Sequence, residues 1–213
     1  MTVKKEVAAK IVRLLEKRYP EAFLALNFNN PLQLLVATIL AAQCTDKRVN
    51  DVTKGLFKKY KKAEDFERVK INALEKDISS ISFYRNKARN IKECCKIIVK
   101  KYGANVPSNL NELISLPGIG RKTANIILGN AFGKQAIAVD THVQRVSTRL
   151  GLATSKNPDN VEKELCEVVP RDKWTKSCHL FQAHGRMICT AKNPSCPDCI
   201  LFDLCEWKDK RKK

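Results

Sequence analysis

The sequence predicts an all-α protein of roughly ten helices. Three observations carry this. Almost every apolar stretch repeats at three and four residues, the period of a helix with one buried face. Asn, Ser and Pro stand where such stretches begin and Gly where they end, as helix caps require. The alternation of a half-buried strand survives nowhere, and residues 136–139, a short apolar run, read as a buried connection.

In chain order, Val3, Val7, Ile11, Leu14 and Leu15 form the stripe of a first helix that stops before Pro20. Asn30 and Pro31 supply an N-cap and a first helical proline for an apolar helix from Leu32 to Ala42. Asp46 is expected to cap the next, which carries Val49, Val52, Leu56 and Tyr60. A helix from about Asn86 to Tyr102 packs Ile91, Cys95, Ile98 and Tyr102, then ends at Gly103. Ser108 or Asn109 starts a short helix with Leu110, Leu113 and Ile114. Another runs from Arg121 to Phe132 and stops at Gly133. The last one legible covers Thr141 to Leu150, where Thr141 and Gln144 make a capping-box pattern that would leave Asp140 free. Repeats, low-complexity tracts and a linker are absent, and pattern alone does not show how the chain divides.

Lys and Arg number 40 against 22 Asp and Glu, a formal net charge of +18 spread along the chain. Runs such as 58–62 and the tail from Lys208 to Lys213 read singly as solvated faces, but the global excess favours a polyanion partner. No apolar run approaches the ~20 residues of a membrane span. Residues 1–20 alternate Lys and Arg with apolar residues and lack a signal-peptide core. Nine cysteines in such a chain point to a reducing cytoplasm, so clustered cysteines read first as metal ligands. Cys189, Cys196, Cys199 and Cys205 are spaced C-x6-C-x2-C-x5-C. Structural zinc usually takes paired C-x2-C knuckles, of which there is one; four thiolates on short loops suit a 4Fe–4S cube. Cys44, Cys94, Cys95, Cys166 and Cys178 sit in helical patterns as small hydrophobes.

Between two of the helices lies Leu116-Pro117-Gly118-Ile119-Gly120-Arg121-Lys122. A Gly-x-Gly turn at a helix start leaves backbone N–H groups for an anion, and on a basic chain that anion is a nucleic-acid phosphate. Lys122 sits in the first turn, where the helix dipole disfavours a protonated amine. The helix climbs ~18 Å at ~1.5 Å per residue. The extended residues 134–139 return ~20 Å at ~3.3 Å per residue, enough to bring Asp140 back beside Lys122. A lysine that does chemistry needs such an acidic partner, although a surface lysine and a capping aspartate give the same pattern.

These segments together resemble the endonuclease III family of DNA glycosylases. The family's L-P-G-[VI]-G-R-K-T-A hairpin matches residues 116–124, its V-D-T-H-V segment residues 139–143, and its cysteine spacing the one above. Further matches are Ala42-Gln43-x-Thr45-Asp46, Tyr84-x-x-Lys87-Ala88 and His184-Gly185-Arg186. The resemblance implies two helical domains with a DNA-binding cleft between them. One is a six-helix barrel with the helix-hairpin-helix, at 23–135; the other is an iron–sulfur cluster domain, at 1–22 and 136–213. It implies a bifunctional glycosylase and AP lyase that removes oxidised pyrimidines such as thymine glycol. In that scheme the base is flipped out, buried Lys122 attacks C1′ and Asp140 assists. Gly118, Ile119 and Gly120 would hold a phosphate, Lys192 would reach the backbone, and Gln43 and Phe83 would fill the vacated gap. Phe83 stands where leucine is common and Ser82 where glycine is, which bears on wedge geometry and opposite-base preference. One 4Fe–4S cluster on the four cysteines, double-stranded DNA carrying a damaged base or abasic site, and a monomer associated with the nucleoid complete the expectation. His142 reads as a packed helix residue, and His179 and His184 as possible neighbours of the cluster. Two rivals are an adenine-mismatch glycosylase, which has no lysine at position 122, and a non-catalytic DNA-binding module with a structural metal.

Overall fold

The computed structural model describes residues 2–210, so Met1 and residues 211–213 of the basic tail lie outside the described residues. Its helices are α1 (Thr2–Arg18), α2 (Pro31–Ala41), α3 (Asp46–Lys59), α4 (Ala63–Arg68), α5 (Ile71–Asp77) and α6 (Tyr84–Tyr102). There follow α7 (Leu110–Ile114), α8 (Arg121–Ala131), α9 (Thr141–Arg149), α10 (Pro158–Val168) and α11 (Trp174–Met187). Short 3₁₀ turns occur at Arg171–Lys173, Cys196–Asp198 and Phe202–Leu204. Among the described residues no strand forms, and no helix is long and apolar enough to cross a membrane. The chain divides into two compact units, Leu24–Lys134 and Met1–Phe23 with Gln135–Lys213.

In Leu24–Lys134, α2 is buried on every side from Leu34 to Leu40. A helix apolar all round belongs at the centre of its unit, and α3, α6 and α8 pack on it. Asn30 caps α2 by accepting the Gln33 amide, with Pro31 as first helical residue. Thr45, not Asp46, caps α3, because its hydroxyl accepts the Arg48 amide. Asp46 is instead the first helical residue, where its charge favours the helix start. Asn109 caps α7. α6 is packed by α4 and α5 and carries a half-buried lysine, Lys92, whose Nζ donates to the carbonyls of Glu67 and Val69 at the end of α4. Asp77 at the end of α5 accepts from Lys59 Nζ and Tyr60 Oη, each at 2.6 Å.

In the other unit, α1, α9, α10 and α11 share one core through Ile11, Leu15, Val146, Leu165 and Phe181. Val3 is 73% exposed, so the α1 stripe begins at Val7 rather than Val3. Residues 137–139 are the expected buried connection. At Gly185 of α11 an added Cβ would lie 3.1 Å from His142 Cβ, so glycine permits α9 and α11 to approach this closely.

Candidate functional site

Pro117 and Gly118 occupy the two central positions of a turn closed by the Ile119 amide donating to the Leu116 carbonyl at 3.1 Å. Gly118 has φ +81, so the turn carries the Pro-Gly signature of type II. The amide of Ile119 is thus used within the turn itself. Ile119 is buried, whereas Gly118 and Gly120 are exposed. Gly120 is the N-cap of α8 and offers no side-chain cap, so the first turn of α8 keeps orphan N–H groups, as helix starts do. A Cβ on Gly118 would lie 3.1 Å from the side chain of Asn90, so the turn rests against α6.

Lys122 lies in the first turn of α8 and is exposed. The burial expected around its amine is therefore not built by its own unit; a bound ligand would have to supply it. Asp140 belongs to the other unit, at the end of the buried connection. It is the N-cap of α9, its Oδ1 accepting the Val143 amide at 2.7 Å. The expected capping box does not form, because Asp140 and not Thr141 is the N-cap; the Gln144 side-chain Nε2 donates to the Lys156 carbonyl. Thr141 is the first helical residue. Asp140 is half-buried and its second oxygen is not used in the cap.

Gln43 and Phe83 are both exposed and both adopt left-handed backbone, at φ 53 and φ 57. Phe83 is 63% exposed, which removes the alternative of a core aromatic. Left-handed backbone in a non-glycine residue costs about 1–2 kcal/mol and persists only where its surroundings hold it. Next to Gln43 the end of α2 meets Lys87, to which the sequence assigns no role. Lys87 is buried, and its Nζ donates to the Leu40 and Ala42 carbonyls that end α2, at 2.9 Å and 2.5 Å. Burial pushes it below the ordinary lysine value. The available signal was its register: Lys87 occupies the stripe continued by Ile91, Cys94 and Ile98.

Cys189, Cys196, Cys199 and Cys205 line a single cavity with Val146, Leu150 and Ile188. Among the described residues no three His, Cys, Asp or Glu side chains are grouped to hold one metal ion. Four sulfurs around a shared space make an all-thiol, carboxylate-free set, a soft donor set suited to iron–sulfur. Burial pushes the thiols of Cys199 and Cys205 up, a preference that a cationic iron core would reverse. Arg149 braces the loop: its guanidinium donates to Cys189 Sγ at 3.3 Å and to the Thr190 and Ala191 carbonyls, and stacks 3.8 Å from the Trp207 ring centroid. Arg145 holds the Cys189 and Gly185 carbonyls. His184 stands 3.5 Å from Cys199 Sγ and 3.1 Å from Tyr19 Oη, and burial, then the charge of Arg18, pushes it down to about 4. His142 faces Arg145 at 3.0 Å, and His179 is buried in α11. Cys94, Cys95 and Cys178 are buried as expected, while Cys44 and Cys166 are only half-buried. Lys192 is exposed on the cysteine loop.

A family model described as HhH-GPD superfamily base excision DNA repair protein matches residues 36–171, and one described as the iron-sulfur binding domain of endonuclease III matches residues 189–205. The Endonuclease III of Bacillus subtilis (strain 168) is 48% identical over 196 residues, 92% of this chain and 90% of that one. That of Escherichia coli (strain K12) is 39% identical over 201 residues, 94% of this chain and 95% of that one. A solved structure of a trapped endonuclease III–DNA covalent intermediate superposes with a TM-score of 0.89 at 45% identity, over 95% of each chain. That of a thermostable thymine-DNA glycosylase gives 0.87 at 26% identity, over 99% of each.

Proposed function

The chain belongs to the endonuclease III family, within the HhH-GPD superfamily of base excision DNA repair proteins, and on that premise we propose that it is a bifunctional DNA glycosylase and AP lyase acting on oxidised pyrimidines such as thymine glycol. The observation that carries the lyase half is Lys122: an exposed amine in the first turn of α8, directly after the Pro-Gly turn.

In this reading the hairpin turn grips a phosphate through Gly118, Gly120 and the first turn of α8, and Lys192 reaches a second stretch of backbone. The +18 charge supports binding of double-stranded DNA as a monomer at the nucleoid. The damaged nucleotide leaves the stack, and Gln43 and Phe83 fill the gap. The sugar, closing over Lys122, supplies the desolvation its exposed position lacks, and the neutral amine attacks C1′. The C1′–N bond of the base breaks and its electron pair leaves with the base. The free Oδ2 of Asp140 stabilises positive charge on the sugar and relays the protons. The C1′–O4′ bond then breaks, its electron pair leaving with the ring oxygen, which takes up the proton lost from the amine nitrogen as C1′=N forms. This Schiff base acidifies the 2′ carbon, and loss of that proton expels the 3′ phosphate by β-elimination. Cys189, Cys196, Cys199 and Cys205 would hold one 4Fe–4S cluster, whose chemistry here is ligation that fixes residues 189–205 and so presents Lys192.

Borohydride trapping tests this on duplexes carrying one thymine glycol or one abasic site. Wild-type protein should form a covalent adduct with each, and Lys122→Ala should form none while still retarding DNA in a gel. An adduct that survives in Lys122→Ala, or no adduct from folded, iron-loaded wild type, would refute the lysine mechanism.

A further inference from the structure

One helix, α6, ties together the two backbone segments that carry Gln43 and Phe83. Phe83 is its N-cap, and the Phe83 carbonyl accepts the Lys87 amide at 3.1 Å. From there the Lys87 side chain crosses to the end of α2 and donates to Ala42, the residue before Gln43. A buried ammonium is unfavourable, and an apolar side chain would complete the stripe of Ile91, Cys94 and Ile98 without that penalty. The Lys87 side chain thus ties the first turn of α6, which begins at left-handed Phe83, to the residue before left-handed Gln43. Lys92, on the same helix, provides an internal comparison. It also donates to two carbonyls at a helix end, but the residue there, Val69, has φ −58 and needs no holding.

We infer that Lys87 is a positioning residue: it fixes Gln43 and Phe83 relative to each other, so that the two enter the duplex as one preformed wedge. This rests on the glycosylase reading, which gives those two residues the gap-filling role. Without the strut the end of α2 is no longer tied to the first turn of α6, and the two insertions must be aligned during base extrusion.

The test compares single-turnover excision of a paired thymine glycol with strand cleavage at a preformed abasic site, which has no base to unpair. Lys87→Met should slow excision at least about tenfold more than it slows abasic cleavage. Lys87→Arg, which keeps the donors, should restore the ratio. Lys92→Met loses the same number of carbonyl bonds and should lower the melting temperature while leaving the ratio alone. An unchanged ratio in Lys87→Met, or an equal change in Lys92→Met, overturns the inference. A double-mutant cycle over Gln43→Ala and Phe83→Ala needs no Lys87 variant: their effects on excision should depart from additivity by at least about threefold. Additive effects overturn the inference too. Wild-type protein inert on both duplexes would instead overturn the glycosylase reading beneath it.

Discussion

Because Oδ1 of Asp140 caps α9 through the Val143 amide, a substitution there changes a helix and a reaction together unless the cap is preserved. Asparagine caps as well as aspartate, so Asp140→Asn should keep the wild-type melting temperature while lowering base excision by about 10²–10⁴-fold. Asp140→Ala should lose a further ~1 kcal/mol of stability. Equal destabilisation by both would mean that the charge, and not the cap, holds α9. Asp77 makes a different prediction. Burial raises its carboxyl, but the hydrogen bonds from Lys59 and Tyr60 outweigh this and leave it below the usual carboxylate value. A lowered folded value contributes stability above the ordinary carboxylate range, lost as pH falls through the folded value. Asp77→Asn should therefore cost about 1–2 kcal/mol at neutral pH, and thermal melts of the two proteins should converge under acid. The four cysteines were legible as ligands from type and spacing, whereas Lys122 and Asp140 draw their proposed roles from the family resemblance. Strain was not legible, since neither Gln43 nor Phe83 is a glycine. Nor was the release of Asp140 from capping a sound expectation, because its own carboxylate accepts the Val143 amide and starts α9 one residue before Thr141 could.

At the scale of elements, α9 and α11 meet where Gly185 leaves no room for a side chain. Alanine gains up to about 1 kcal/mol of helix propensity over glycine, but an overpacked site typically loses about 1–3. The neighbour is His142 Cβ, which cannot move without its backbone, so the steric loss wins and Gly185→Ala should lower the melting temperature. A rise would show that α9 shifts freely. Cys189, Cys199 and Cys205 pack against the same core, so stripping the iron–sulfur group should speed hydrogen exchange across residues 189–207. Unchanged exchange would mean that Arg149 and Arg145 alone fix the loop. Elements with strong periods and caps, α2, α3, α6 and α8, could be read from the chain to within two residues at each end. Short α4 and α5 escaped because they depend on tertiary contacts, α4 on Lys92 among them. α11 gives no clean stripe because His179, Leu180, Phe181, His184 and Gly185 are all buried.

Across the whole molecule, a formal charge of +18 implies DNA affinity that falls with salt, each neutralised phosphate adding about 0.9 to the logarithmic slope. Lys122 reaches a sugar in the proposed mechanism, so Lys122→Ala should change that slope by well under the value of one contact, about 0.9. A change of about 0.9 would make it a phosphate ligand. The division into units could not be read from pattern, because pairs such as Tyr19 with His184 or Glu16 with Lys173 leave no local period. The same pairs show that α1 completes a core whose other helices come from the far end of the chain. On a ribosome adding about 5–20 residues per second, α1 emerges roughly 10–40 s before residues 141–205 exist to receive it. All of Leu24–Lys134 is made in that interval and can fold first. The apolar face of α1 meanwhile stays uncovered, so α1 finds its place only after the helices that follow it are made, and until then its stripe is open to a chaperone.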